Sequence, residues 1–302
     1  MLTNSEDGTA TQLLALGGAV PVVRFNVDLW RDYRVSVRDD GFALTDPTGR
    51  AISTDTCAAV YYRKPHWFGA EEGDVAERWA RSQVRGVVEH LVNWARDARR
   101  LVLVDPADEA RVDKLSQLRV ARRHFAVPDG GVAWGTLPTP SWPVVAKSLV
   151  AAGFLGGRFL FTRRVDPAQL DPAWPWYLQE EHHGEDVTVV FVDGETFAAA
   201  LDRETFEGED WRKFISEARP LPWRAVDLRP EETAAIRRFM RDAGLSFGRL
   251  DFLRTPEGRL VFLEVTTNGE WGWLDDGDRG IFSAVWRAIE RVAAREAPAA
   301  RG

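Results

Sequence analysis

The sequence is poor in cysteine and has no long uncharged apolar segment. Cys57 is the only cysteine among 302 residues, so an internal disulfide is excluded, and no clustered Cys/His spacing of the kind that binds zinc is present. The first ten residues, MLTNSEDGTA, are polar and acidic, and no apolar run approaches the roughly 18 residues of a membrane helix. We therefore expect a protein of the reducing cytoplasm, neither exported nor inserted in a membrane.

Positive charge is also scarce. The chain has 39 Lys and Arg against 46 Asp and Glu, which gives a net charge of −7 and a pI near 5.4. The long-range field therefore repels nucleic-acid backbones and anionic membranes, and neither is an expected partner. Any anion site must be local.

A hydrophobic content of 45% over this length is enough for a core divided between two or three lobes.

Periodicity along the chain predicts an α/β protein with α+β elements, in three units at 1–107, 108–185 and 186–302. The first unit alternates short apolar strands with a long amphipathic helix between about Val75 and Arg100. The second contains the strand PVVAKSL at 143–149 and the glycine-rich connection AAGFLGG at 151–157, which is suited to cover phosphates. The third contains a hairpin turning at Asp193-Gly194, a helix ended by Gly244, and the hairpin FGRLDFLRTPEGRLVFLEV.

Two acids lie within apolar runs of the last hairpin, Asp251 in LDFL and Glu264 in FLEV. Carboxylates in such runs need a partner, and Mg²⁺ is commonly held by one or two carboxylates together with nucleotide phosphates. The alternative is that both acids lie on a solvated face of the sheet. A three-residue loop with Gly258 as its bulge residue would place them on opposite faces, and only a further bulge would bring them together.

Two lysines are candidates for contact with an anion. Lys147 ends the apolar strand VVAK, where a buried ammonium is costly unless an anion neutralises it. Lys114, in DKLSQL, lies near a helix start and could be a second phosphate contact or an ordinary solvated lysine. Asp210-Trp211-Arg212 could hold charged and apolar groups of a peptide, although surface structure explains it equally well. His182 and His183 are expected to be solvated.

Taken in order, these segments resemble the ATP-grasp superfamily, and within it the peptide maturases of the microviridin type, the graspetide synthetases. The similar segments span about 20–290. They are VVRFN at 22–26, VYYRKP at 60–65, DKLSQLRVARRHFAVP, YLQEEHHGEDVTVVFVDG, DWR at 210–212 and, most specifically, GRLDF with EGRLVFLEVTTNGEWGWL.

The resemblance implies an ATP-grasp fold with an amino-terminal α/β domain before it. It also implies an ATP- and Mg²⁺-dependent ligase that phosphorylates an Asp or Glu side chain of a ribosomally made precursor peptide. A Thr or Ser hydroxyl or a Lys amine then attacks, which gives a macrocyclic ester or amide. Whether the ligase acts as a homodimer is left open.

The site residues implied by the resemblance fall into three groups. Phosphates are contacted by Lys114 and Lys147, and the rest of the nucleotide by the adenine hinge Gln179, Glu180 and Glu181 with Asp186 near the ribose. The metal ligands are Asp251 and Glu264, with Thr266 at the position of a further ligand and Asn268 or water completing the shell. The peptide-binding residues are Arg63, Asp210 and Arg212.

The sequence departs from the family pattern at three positions. Asp113 and Thr266 each replace an Asn, and Thr188 stands where the family usually has Arg. Arg is a five-donor fork for anions, and Thr is a weaker neutral oxygen ligand than Asn. Two alternatives therefore stay open, a RimK-like carboxylate–amine ligase and a non-catalytic ATP-grasp-like module that only binds peptide.

Overall fold

The computed structural model describes residues 1–65, 73–149, 154–155, 158–159, 162–201, 222–275 and 279–295. Within these ranges no helix is long and apolar enough to cross a membrane. Asp210 and Arg212 lie outside the described residues, as does most of the glycine-rich connection at 151–157.

Six α-helices occur in the described residues. They are α1 (Gly8–Leu16), α2 (Val75–Asp97), α3 (Ala107–Arg111), α4 (Lys114–Ala121), α5 (Pro230–Ala243) and α6 (Ile281–Ala294). α2 begins where the Asp74 side chain accepts a hydrogen bond from the backbone N–H of Glu77, and α5 ends at Gly244 in the left-handed conformation with φ +67°. The Gly244 stop was read correctly from the sequence.

The strands near the start of the chain form three small sheets. The strands are β1 (Leu2–Thr3), β2 (Phe25–Asn26), β3 (Arg34–Arg38), β4 (Gly41–Thr45), β5 (Ala51–Ser53), β6 (Val60–Tyr61) and β7 (Leu101–Val102). β1 pairs with β2 and β6 with β7, both in parallel, and a parallel bridge from Leu2 to Tyr62 joins the two pairs. β3, β4 and β5 form an antiparallel meander. The α/β character expected here is correct, but the strands are shorter than their apolar runs.

An antiparallel sheet with the order β12-β9-β13-β8 follows. Its strands are β8 (Gly130–Ala133), β9 (Val144–Lys147), β12 (Arg163–Val165) and β13 (Trp176–Glu180), and the short pair β10 (Phe154–Leu155) and β11 (Arg158–Phe159) lies between β9 and β12 in the chain. Lys147 lies opposite Tyr177 in this sheet, and Val145 lies opposite Gln179. These four residues of the two central strands therefore lie on one face of the sheet.

The largest sheet is antiparallel and has the order β16-β15-β14-β17-β18. Its strands are β14 (Glu185–Val192), β15 (Glu195–Leu201), β16 (Arg224–Val226), β17 (Phe247–Arg254) and β18 (Leu260–Thr266). β14 turns into β15 at Asp193 and Gly194, both with positive φ, as the sequence predicts.

The two faces of this sheet have different neighbours. Alternate residues of β14, such as Val187 and Val189, pack in one core with Ile236 and Phe239 of α5. Val190 and Val192, on the opposite face, pack in a second core with α6, α1 and the loop that follows β18. Because side chains alternate along a strand, the residues that continue this second face are Thr188 and Asp186. These residues lead to the candidate site.

Candidate active site

Asp251 of β17 and Glu264 of β18 lie directly opposite each other. Thr255 and Arg259 close the three-residue loop that the sequence predicts, and Gly258 has φ +79°. With an uninterrupted ladder from that loop, Leu263 would face Asp251. The register shifts between Asp251 and Phe252, so that Leu263 is the extra residue of a bulge and Glu264 takes its place. The two acids therefore share one face of the sheet.

Each acid is paired with a cation of the protein. Lys114 Nζ lies 3.1 Å from Glu264 Oε2, and Arg249 Nη2 lies 3.1 Å from Asp251 Oδ2. The other oxygen of Asp251 accepts a hydrogen bond from Thr188 Oγ1 at 2.9 Å. Thr188 therefore contacts the acid directly from the adjacent strand.

Arg249 is a site residue that sequence reasoning missed. Its place two residues before Asp251 in GRLDF is the signal that could have found it, because residues i and i+2 of a strand lie on the same face. Its side chain is 12% exposed, and Nη1 also donates to the backbone oxygen of Glu270 at 3.1 Å. The guanidinium is thereby fixed beside both Asp251 and the loop after β18.

Lys114 bridges the two sheets, and it is not the solvated surface lysine of the alternative interpretation. Its ammonium donates to the backbone oxygen of Ser148, just beyond β9, at 3.1 Å, and lies 5.9 Å from the centre of the Tyr177 ring. Burial, together with the nearby charge of Glu264, raises the pKa of Tyr177 to about 12, so its hydroxyl stays neutral. Lys147 is partly buried, whereas the three residues before it are buried.

An open pocket with about 360 Å³ of empty space lies between the two sheets. Its lining residues are Val145, Lys147, Thr162, Gln179, Glu180, Glu181, His182, Leu253 and Leu263. The three residues of the expected hinge and one of the two lysines thus meet in one place, with apolar groups from each sheet. Leu263, the bulge residue, joins the pocket to the acids because Glu264 follows it.

The hinge residues are held by their own contacts. Gln179 is buried and donates from Nε2 to the Tyr177 hydroxyl at 3.1 Å, and Glu181 receives two 2.8 Å hydrogen bonds from Arg164. His182 lines the pocket with Nε2 3.1 Å from Glu180 Oε2, so the expectation that it is solvated is wrong. The side chain of His183 is 70% exposed, as expected.

The remaining nucleotide and metal candidates lie around the acids. Asp186 is buried on β14, two residues before Thr188 and on the same face. Thr266 follows Glu264 by two residues on β18 and faces Arg249. Asn268 is 3% exposed, and neither polar atom of its amide has a hydrogen-bond partner among the described residues. A buried amide without partners is uncommon and suits a residue that awaits a ligand.

The donor set fits Mg²⁺ and not a metal held by protein ligands alone. In the described ranges no three His, Cys, Asp or Glu side chains come together as a metal site. Two adjacent carboxylates with neutral oxygens nearby match the preference of Mg²⁺ for a few protein oxygens, phosphate oxygens and water.

Arg63 is buried in a polar cluster that joins the start of the chain to the loop after β18. Its side chain is 1% exposed, with Nη2 2.6 Å from Glu270 Oε2 and Nε 3.7 Å from Asp7 Oδ2. Lys64 holds the other oxygen of Glu270 at 3.0 Å. Burial lowers the pKa of Arg63, but neighbouring Tyr61, Glu270 and Asp7 raise it by more, so Arg63 stays cationic. Arg63 Nε and Nη1 have no hydrogen-bond partner in the described part of the chain.

Comparison with known proteins identifies the fold. Neither the family models nor the curated proteins searched gave a match. Among solved structures, a RiPP-associated ATP-grasp ligase of Chryseobacterium gregarium, in complex with ADP and a leader and core peptide, matches with a TM-score of 0.76 and 21% identity, over 98% of this chain and 96% of that one. The macrocyclase MdnC of Microcystis aeruginosa, bound with precursor peptide MdnA, matches with a TM-score of 0.74 and 20% identity, over 96% and 98%.

A third similar structure is the ATP-grasp ligase PsnB, complexed with a phosphomimetic variant of a minimal precursor, Mg and ADP. It matches with a TM-score of 0.70 and 17% identity, over 96% of this chain and 97% of that one. The chain has the ATP-grasp fold, and the fold class expected from the sequence is confirmed.

Proposed function

We propose that the protein is an ATP-dependent ligase that activates an Asp or Glu side chain of a ribosomally made precursor peptide and joins it to a hydroxyl or amine of the same peptide. The observation that carries this proposal is the opposed pair Asp251 and Glu264, next to a pocket shared by two sheets and within reach of Lys114. The protein also shares its fold with solved structures that contain ADP and a leader, core or minimal precursor peptide.

The pocket is the proposed nucleotide site. Its lining combines apolar side chains with a few polar groups, which is typical of small-molecule sites. Gln179, Glu180 and Glu181 would border the base, and Asp186 would bind the ribose. Lys114 and Lys147 would bind phosphate oxygens, because Lys114 already reaches across both sheets and Lys147 lines the pocket.

Asp251 and Glu264 would hold Mg²⁺, with Thr266 and Asn268 as neutral oxygen donors. Bound there, Mg²⁺ would offset the charge of the phosphates. Arg249 lies beside Asp251 on the same face, so its guanidinium can bind an anion that approaches the acids. These residues align charged groups and neutralise them, which is most of what phosphoryl transfer requires from a protein.

The reaction has two steps. An oxygen of the peptide carboxylate attacks the γ-phosphorus of ATP, the bond from that phosphorus to the β–γ bridging oxygen breaks, and ADP leaves. A hydroxyl or amine of the peptide then attacks the acyl carbon, the carbon–oxygen bond to phosphate breaks, and phosphate leaves while the nucleophile gives up its proton. The net result is one ester or amide bond for each ATP.

The peptide would be bound by Arg63, Asp210 and Arg212. Arg63 supports this role because it is a buried guanidinium with N–H groups that lack partners among the described residues, close to the loop that carries Asn268 and Glu270. Asp210 and Arg212 are proposed from the DWR resemblance.

The test is a reaction of the purified protein with ATP, Mg²⁺ and candidate peptides rich in Thr, Ser, Asp and Glu. We expect ADP formation that depends on the peptide, and a product lighter by one water for each ring by mass spectrometry. Lys147→Ala should weaken ATP binding about tenfold or more, since a charge-assisted phosphate hydrogen bond contributes about 1.5–3 kcal/mol. Arg38→Ala, which removes a largely exposed cation, is the control.

Other outcomes would reject this function. A product that is heavier by an added amino acid or amine would identify a carboxylate–amine ligase. ATP binding with no ADP formation on any peptide would identify a module that only binds. Wild-type ADP formation by Lys147→Ala would remove Lys147 from the nucleotide site.

A further inference from the structure

We infer that Lys114 is an exchangeable counterion, which pairs with Glu264 until nucleotide phosphates take it over, so that a divalent cation binds tightly only together with the nucleotide. The inference rests on the proposed function, because it assumes that the pocket binds a nucleotide. It goes further, since it assigns Lys114 a second role and makes metal affinity depend on ligand order.

The first step of the argument is that neither acid offers an uncompensated charge. Glu264 is 26% exposed at its side chain and paired with Lys114, and Asp251 is 17% exposed and paired with Arg249. A divalent cation that binds both acids in the absence of phosphates would lie next to an ammonium and a guanidinium. Repulsion between like charges at such separations is large in a partly buried site.

The second step is that the two cations differ in how firmly they are held. Arg249 donates to Asp251 and to the backbone oxygen of Glu270, and the loop packs tightly against it. A Cβ atom at Gly269 would lie 3.2 Å from the Cβ atom of Arg249. Arg249 is therefore a fixed cation.

Lys114 is held more loosely. Its long side chain, 18% exposed, reaches Glu264 and one backbone oxygen, that of Ser148. That carbonyl lies just beyond Lys147, at the edge of the proposed phosphate site. A short movement of the ammonium toward phosphates would exchange one anionic partner for another at little cost, whereas movement into solvent would give the ammonium no new anionic partner.

The coupling follows from this exchange. When phosphates attract Lys114, Glu264 loses its counterion at the same moment that further anionic oxygens arrive, and both changes favour a divalent cation. By linkage, the cation must strengthen nucleotide binding by the same factor. Mg²⁺ and nucleotide would therefore bind with strong positive cooperativity.

The test measures Mn²⁺ binding, by the electron paramagnetic resonance signal of free Mn²⁺, with and without saturating ADP. Because ADP itself binds Mn²⁺, each sample with ADP is compared with a protein-free sample at the same Mn²⁺ and ADP concentrations. The proteins are wild type, Lys114→Met and Arg119→Met. Methionine keeps most of the side-chain length of lysine without its charge. Arg119 is an exposed cation on the same helix, so its variant controls for lost positive charge. Circular dichroism and thermal melting check the fold.

We expect wild type and Arg119→Met to bind Mn²⁺ at least about tenfold more tightly with ADP than without it. Lys114→Met should bind Mn²⁺ about tenfold more tightly than wild type in the absence of ADP, because the charged hydrogen bond from Lys114 to Glu264 no longer competes with the metal. Equal affinity of wild type with and without ADP would overturn the inference. So would an unchanged ADP-free affinity in a folded Lys114→Met.

ADP binding, measured separately by calorimetry, distinguishes this inference from the proposed function. If ADP binds but the Mn²⁺ affinity of wild type does not respond, only the inference fails. If ADP does not bind at all, the proposed function fails and the inference fails with it. Should Lys114→Met not fold, the wild-type comparison and Lys114→Gln decide the same point.

Discussion

Thr188→Val tests whether the hydroxyl of Thr188 supports Asp251. Thr188 is 1% exposed, and its hydroxyl donates to Asp251 Oδ1 at 2.9 Å. Valine has nearly the same shape but no donor. A hydrogen bond to a charged group contributes about 1.5–3 kcal/mol, and we expect the lower end, about 1.5 kcal/mol, because Asp251 keeps Arg249 and some contact with water.

The assay is urea denaturation, in which the transition midpoint should fall while the slope stays the same. Thr188→Ser keeps the hydroxyl and should recover part of the loss. Thr196→Val, in β15 of the same sheet, is the matched control because its hydroxyl makes no side-chain hydrogen bond within the described ranges, and we expect a change below about 0.5 kcal/mol. Equal free energies of unfolding for Thr188→Val and Thr196→Val would refute the role of this hydrogen bond.

Three further predictions concern pH, backbone geometry and the metal. Burial raises the pKa of Glu270, but its two cationic neighbours lower it by more, so the net pKa lies below the ordinary 4.5. Wild type should therefore melt at a higher temperature than Glu270→Gln at pH 7, and this difference should disappear as the pH falls below about 4.5. A difference in melting temperature that acid does not affect would contradict this prediction. Gly130→Ala should lower stability by about 1–3 kcal/mol, since its Cβ atom would lie 2.3 Å from a carbonyl oxygen of β13, whereas Gly131→Ala meets nothing within 4 Å and should not. Glu264→Gln should raise the Mg²⁺ concentration needed for ADP formation and Thr266→Asn should lower it, and a wild-type Mg²⁺ titration in Glu264→Gln would remove the acids from the metal site.

The elements could be predicted from the sequence where local signals agree. The turn at Asp193-Gly194 and the helix stop at Gly244 are positions where glycine or a short polar residue is favoured by its backbone conformation, so they can be recognised locally. The apolar runs near the start contain β2, β6 and β7 but are longer than these strands, because an apolar run shows burial and not ladder pairing. The meander of β3, β4 and β5 was not predicted. The division at 107 and 185 stays a prediction.

The site was less accessible to sequence reasoning than the fold. Whether Asp251 and Glu264 share a face depends on one extra residue in β18, and nothing in the letters FLEV marks Leu263 as that residue. The pairing of Arg249 with Asp251 and the reach of Lys114 to Glu264 depend on how strands and helices come together in space. The roles of all of these residues stay predictions until variants are measured.

The core that joins the start of the chain to its end limits how proteins with this fold can be recombined. The indole N–H of Trp286 in α6 donates to the backbone oxygen of Leu13 in α1 at 2.9 Å, and a Cβ atom at Gly18 would lie 2.4 Å from the Trp286 ring. Tyr61 and Val104 pack in the same core as Trp271. A chimaera that exchanges only the first hundred or so residues would therefore mismatch its last helix. A chimaera of two proteins with this fold therefore needs both chain ends from the same parent.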